Sequence, residues 1–152
     1  RDTVLLANAE SIAVEASMVA YEGVVIAAER DAGSLRTMEE NASKFGTHNI
    51  EIIPEITVEA LEKLPTPRLA FIVAQKSNIE NDIVTLLKVN PKIKFIIYTL
   101  ELDILADIKY LMKKHGVDVI EVMQIAVSKV DKNGVFVAQP APWMITCEVK
   151  EK

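Results

Sequence analysis

A single cysteine, Cys147, has no partner for an intramolecular disulfide, and with only two histidines beside it no zinc site can be assembled. A reducing cytoplasm is the setting this predicts. No apolar run is long enough to cross a bilayer, and no stretch has the character of a secretory leader, so no membrane partner is expected. Basic residues are in the minority, 17 Lys and Arg against 22 Asp and Glu, for a net charge of −5. The one basic cluster, Lys113-Lys114-His115, falls where a helix should end and complements its dipole. Nucleic acid is therefore not expected as a partner. Glycine is scarce, with five in all and none before Gly23, so neither a phosphate loop nor G-x-G-x-x-G can be written at the start of the chain. No Ser/His/Asp set and no pair of catalytic acids can be assembled, which leaves the catalytic residues unassigned.

What the chain has is apolar periodicity. Half of its 152 residues are hydrophobic, enough for one core, and residues 1–152 read as a single domain. Strand-like runs at 3–7, 24–28, 50–53, 69–74 and 94–100 alternate with helical segments at 11–21, 32–45, 58–64, 78–89 and 102–115. Gly46 and Gly116 stand where left-handed helix caps are expected, and Pro65, Pro67 and Pro91 stand where helices should stop. The rhythm then changes. Two long strand-like stretches, 117–130 and 135–149, are joined by Asp131-Lys132-Asn133-Gly134, a strong hairpin signal. Five βα units and a closing hairpin predict a doubly wound, seven-stranded mixed sheet. Its first five strands are parallel, its last is antiparallel, and helices cover both faces.

In such a sheet the ligand lies beyond the carboxyl ends of the strands, where the strand order reverses. The residues there are 7–10, Glu29 and Arg30, 54–56, 74–77 and 99–101. Glu29 closes the second strand, roughly 20 residues after the first turn, where a carboxylate can accept hydrogen bonds from both hydroxyls of a ribose. A solvated acid beside Arg30 is the plainer alternative. The first turn, Ala7-Asn8-Ala9-Glu10, has no glycine. Asn8 tolerates a left-handed backbone better than most residues, and Glu10 suits the first turn of a helix. Lys76 could meet a substrate carboxylate, although solvent is the commoner environment for it. Ser77 suits a helix cap, and packing accounts for Trp143.

Several stretches together resemble one family. Ser11-Ile12-Ala13-Val14-Glu15-Ala16-Ser17 is similar to S-V-S-I-E-A-S, and Ala28-Glu29-Arg30 to A-I-E-R. Glu40-Asn41-Ala42 with Lys44-Phe45-Gly46 is similar to E-N-A-x-x-F-G, and Pro142-Trp143-Met144-Ile145-Thr146 to P-V-W-I-I-T. These are motifs of the decarboxylating precorrin methyltransferases that methylate carbon 15 of the corrin precursor, and the likeness runs the length of the chain. The resemblance implies a Rossmann-like class I methyltransferase fold, S-adenosylmethionine as cofactor, a tetrapyrrole (precorrin) substrate and a homo-oligomer, typically a tetramer. It places Ala7, Asn8, Glu29, Arg30, Ile56 and Ala74 at the cofactor positions.

The departures from the family fall on the same loops. Its D-V-G-A-G-T-G turn is Val4-Leu5-Leu6-Ala7-Asn8-Ala9-Glu10 here, its acid after the third strand is Ile56, and its G-G-S-G-G loop is Val73-Ala74-Gln75-Lys76-Ser77. Its N-terminal T-K-x-E-V-R helix has no counterpart, so a domain lacking that segment is expected. Cofactor binding that is weak or lost follows from these changes. Two functions stay open: a methyltransferase of corrin (cobalamin) biosynthesis, and a non-catalytic module of the same fold acting in assembly or on another ligand. A nicotinamide dehydrogenase is a weaker third reading, because the glycine fingerprint is absent.

Overall fold

The computed structural model describes residues 3–7, 23–29, 32–45, 49–74, 79–126 and 128–150. The expected helix at 11–21, the Gly46 cap and the Ser77 cap lie outside these residues. Five apolar runs form the parallel part of one sheet: β1 (Thr3–Ala7), β2 (Val24–Ala28), β3 (Ile50–Ile53), β4 (Leu69–Val73) and β5 (Lys94–Thr99). They lie side by side in the order β3-β2-β1-β4-β5, every neighbouring pair parallel. Alternation along the strands gives the sheet two buried faces. Leu5 and Ala7 join one core cluster, whereas Leu6 between them joins another with Val25, Ala27 and Met38.

The helices divide between those faces. Helix α1 (Ala32–Phe45) contributes Met38 to the Leu6 side. The other three, α2 (Val58–Glu62), α3 (Ile79–Val89) and α4 (Leu102–Lys114), cover the Leu5 side. They do so through Leu61, through Ile79, Ile83 and Leu86, and through Ile104, Ile108 and Met112, residues spaced to fall on one stripe of their helix. Thr57 caps α2 by accepting a hydrogen bond from the amide of Ala60 at 3.1 Å. That helix is shorter than the periodicity predicts. Leu64 precedes Pro65, whose ring disfavours helical backbone at the residue before it, and the helix closes at Lys63. Gly116, at φ 77°, turns the chain out of α4 as expected.

The closing segment differs more from expectation. Instead of two long strands it forms four short ones: β6 (Val117–Gln124), β7 (Ser128–Val130), β8 (Phe136–Ala138) and β9 (Trp143–Val149). Strand β9 inserts between β5 and β6 and is antiparallel to both, which completes the seven-stranded sheet. The expected mixed sheet with an antiparallel last strand is therefore present. The pair β7–β8 forms a separate two-stranded sheet. Pro140 and Pro142 cause the break, since neither has an N–H to give to a ladder. The amide of Ile125 instead donates to the carbonyl of Pro142. The Asp131–Gly134 turn forms where the Asn-Gly signal put it, with Gly134 at φ 77° and Asp131 Oδ1 accepting from the amides of Asn133 and Val135. It closes the small pair rather than the long one.

Cys147 lies at the centre of β9, fully buried between Phe95 and Val119. Burial disfavours the thiolate and pushes the thiol from 9.0 up to about 12. The unfolded chain ionises above pH 9 while the folded chain does not, so this group withdraws stability as pH rises from 9 towards 12 and has no effect below 9. Urea denaturation should show the native chain losing about 1.4 kcal/mol per pH unit across that window relative to Cys147→Ala. Parallel pH profiles of the two chains would show that the thiol is not protected.

Candidate active site

The carboxyl ends of the parallel strands form one rim. Ala7 pairs with Ala28 and with Ile72, and Ala28 pairs with Ile53. One residue further on, the amide of Glu29 donates to the carbonyl of Ile53 at 3.0 Å, and that of Ala74 to Tyr98 at 2.8 Å. These bonds carry the ladder past the last strand residues and hold Glu29 and Ala74 rigidly at the edge. Strand order reverses between β1 and β4, because β1 is followed by β2 on one side and β3 by β4 on the other. A crevice therefore opens beyond Ala7.

Among the described residues, small and apolar side chains line the rim from β3 to β4. Ala7, Ala28, Ile53, Ile56 and Ala74 belong to one cluster, all 7 % exposed or less. Three of the sequence-predicted positions, Ala7, Ile56 and Ala74, are thus brought together. Glu29 adjoins them and is only 7 % exposed, so the reading of it as a solvated acid does not hold. An acid held at this depth implies local contacts that favour it there. Asn8 and Arg30 lie outside the described residues. Ile56 is 5 % exposed and offers an apolar surface with no acceptor.

Leu6 changes role. Aligned with a glycine of the family's turn, it would stand in the path of a cofactor. In the structure it is a strand residue, 4 % exposed, that pairs with Ala27 and Phe71 and packs with Val25 and Met38. Its side chain points to the face opposite that of Ala7 and does not obstruct the crevice.

The rim continues over the other half of the sheet. Thr99 is buried, and its Oγ1 accepts from the amide of Glu101 at 2.9 Å, which fixes the turn into α4. Trp143 pairs with both Thr99 and Gln124, so the ends of β5 and β6 and the start of β9 share one row. The sequence reading named only the five βα turns and did not find the end of β6 or the β7–β8 hairpin at this rim. The insertion of β9 puts them there, and no local signal could have shown it. A depression of about 1120 Å³, lined by Thr3, Arg68, Asn90, Lys94, Glu148 and Lys150, lies at the amino ends of the sheet instead. Lys94 and Glu148 pair across it at 2.8 Å. It is at the wrong end for a nucleoside. Among the described residues no three His, Cys, Asp or Glu side chains gather as metal ligands, and no helix is long and apolar enough to cross a membrane.

A doubly wound sheet with an antiparallel strand inserted one place from its edge is the arrangement of the class I methyltransferases. Within that class, the family model for the precorrin methyltransferase domain matches residues 6–149, and the chain belongs to that family. The family recognised in the sequence motifs is therefore the one shown. Precorrin-6y C5,15-methyltransferase from Geobacter metallireducens superposes with a TM-score of 0.83 at 25% identity, over 98% of this chain and 81% of that one. Precorrin 8w decarboxylase from Methanobacterium thermoautotrophicum superposes at 0.75 and 17% identity, over 98% and 82%. A Streptococcus pneumoniae structure solved with S-adenosyl-L-methionine shares the fold, at 0.69 and 14% identity over 100% and 68%. No curated protein sequence matches the chain.

The placement of Leu6 generates a test. Replacing it with glycine, to imitate the family's turn, should cost about 3–5 kcal/mol in urea denaturation, through the cavity left beside Met38 and the glycine in a strand. It should not improve binding of S-adenosylhomocysteine. A tighter complex in Leu6→Gly would show that Leu6 faces the ligand after all.

Proposed function

We propose that the chain is a C-methyltransferase of corrin-ring biosynthesis, acting on a precorrin with loss of an acetate carboxyl alongside, and that it holds S-adenosylmethionine weakly. The observation that carries the reading is Glu29, buried at the carboxyl end of β2 beside the rim of Ala7, Ala28 and Ala74. That acid has the chemistry to accept from both ribose hydroxyls, and small residues leave room for a nucleoside against the backbone. Ile56 and Ala74 offer apolar contact to an adenine face. When bound, the cofactor supplies an electrophilic methyl group; the protein's part is to position that group in line with a ring carbon and to exclude water. The activities of the Geobacter and Methanobacterium proteins support the choice of substrate class.

Weak binding follows from what the rim lacks. Ile56 gives no acceptor to the adenine amino group, a loss of about 0.5–1.5 kcal/mol. No glycine precedes Gly23, so the first turn gains nothing from glycine's backbone freedom. Isothermal titration should give S-adenosylhomocysteine a Kd of about 0.1–1 mM, and Glu29→Gln should weaken it about tenfold or more. A low-micromolar Kd would contradict weak binding, and an unaltered Kd in Glu29→Gln would remove the ribose role. The buried Ile56 favours one alternative, a non-catalytic module of the same fold. No binding of either S-adenosyl compound at millimolar concentration would select it.

The proposed assembly is a homo-oligomer in the cytoplasm, a tetramer as the family resemblance implies. Its support is the open edge of β6. A bulge between Val119 and Glu121 leaves Ile120 exposed there, as are Val122 and Met123. Sedimentation at micromolar concentration should return a multiple of 16.8 kDa. Charged residues at Ile120 and Val122 should reduce it towards that mass, and a native chain sedimenting as a monomer would exclude the assembly.

A further inference from the structure

The nucleoside half of the rim is closed by small buried residues, whereas the other half is open and apolar. Leu100, just beyond β5, is 56% exposed, and Leu102, which opens α4, is 74% exposed. Ile125, just beyond β6, is also exposed. Because Thr99, Trp143 and Gln124 share one row, Leu100 and Ile125 stand two strand spacings apart, about 10 Å, on either side of β9. Pro142 lies between them, and its carbonyl accepts from the amide of Ile125 at 3.1 Å. The result is a ledge of exposed apolar side chains over the buried Pro142, next to the crevice and on the same edge of the sheet. Isolated apolar surface residues are unremarkable, but a set gathered at the carboxyl edge of a doubly wound sheet marks a ligand surface.

Charge is graded across the ledge. Glu101 and Asp103 flank it on the α4 side, where they complement the helix dipole. Lys129 and Lys132 stand exposed on the β7–β8 hairpin that follows Ile125. Asp131 between them accepts two backbone hydrogen bonds within the turn, and its one negative charge leaves the hairpin net positive against the two lysines.

We propose that this ledge is the substrate-positioning surface: Leu100, Leu102 and Ile125 take the flat apolar face of a polycarboxylate macrocycle, and Lys129 and Lys132 take its carboxylates. The inference rests on the transferase reading for its substrate class and adds the residues that would orient the ring, carboxylate edge towards the hairpin and away from α4.

Uroporphyrin I, an octacarboxylate tetrapyrrole, is titrated onto the full chain and followed by quenching of Trp143, the chain's one tryptophan, which stands in the row beneath the ledge. Saturable quenching is expected with a Kd of about 10–100 μM. Leu100→Gln with Leu102→Gln should weaken it about tenfold. Lys129→Glu with Lys132→Glu should weaken it as much, should flatten its dependence on salt, and should affect the tetracarboxylate coproporphyrin III less. Circular dichroism and sedimentation of both double variants should match the native chain. Native-like binding in both variants would overturn the ledge. So would a change in assembly mass with binding retained in the leucine variant, which would assign the surface to a second copy. Titration with S-adenosylhomocysteine separates this inference from the reading beneath it. If that compound binds and uroporphyrin does not, the ledge is wrong and the transferase reading stands. If uroporphyrin binds through these residues and no S-adenosyl compound binds, the ledge stands and the transferase reading falls.

Discussion

A parallel sheet has no face it can leave to water, and the rest of this structure depends on that constraint. Leu5 and Ala7 enter one core and Leu6 the other, so each strand needs helices on both sides. Each fully buried Leu or Ile contributes about 1.5–3 kcal/mol, and the larger cluster is built mostly from leucines and isoleucines. The helical crossovers that supply this cover also return every parallel strand in the same direction. All the loops that can bear chemistry therefore gather at one edge, and an open crevice between β1 and β4 follows from the order of winding alone.

Among the described residues of that edge, two polar side chains are deeply set. Glu29 and Thr99 are both buried, one just beyond β2 and one at the turn into α4. Each is positioned by the backbone: the amide of Glu29 donates a hydrogen bond to the carbonyl of Ile53, and Thr99 Oγ1 accepts one from the amide of Glu101. Around them stand alanines and isoleucines. Ile56, 5 % exposed, presents no hydrogen-bonding side-chain group among them.

The closing segment has different physics. Its strands contain Asp118, Glu121 and the Pro140-Ala141-Pro142 interruption, and much of their apolar surface remains exposed. Two-stranded pairs such as β7–β8 are marginal alone in water. This part of the molecule holds its shape through β9, which is anchored between β5 and β6 with Ile145 and Cys147 fully buried. One strand thus links the rigid core to the exposed rim.

The elements themselves were legible in the sequence. Short apolar runs marked β1 to β5, helical periodicity marked the four described helices, prolines and glycines marked most of their ends, and Asn133-Gly134 marked the turn. The ordered motifs sufficed to recognise the family, and the position of Glu29 after the second strand marked the acid at the rim. Only the tertiary structure decided which strands are neighbours, and that choice controls the site. Local periodicity tells which residues share a face, but pairing is made between residues far apart in the chain and is set by which arrangement buries every face at once. That is why β9 lies between β5 and β6, why Leu6 proves to be core rather than an obstruction in the crevice, and why Ile125 comes to stand beside Leu100. The burial of Glu29 was undetermined for the same reason: exposure depends on neighbours brought in by the fold, and a sequence names only the neighbours along the chain.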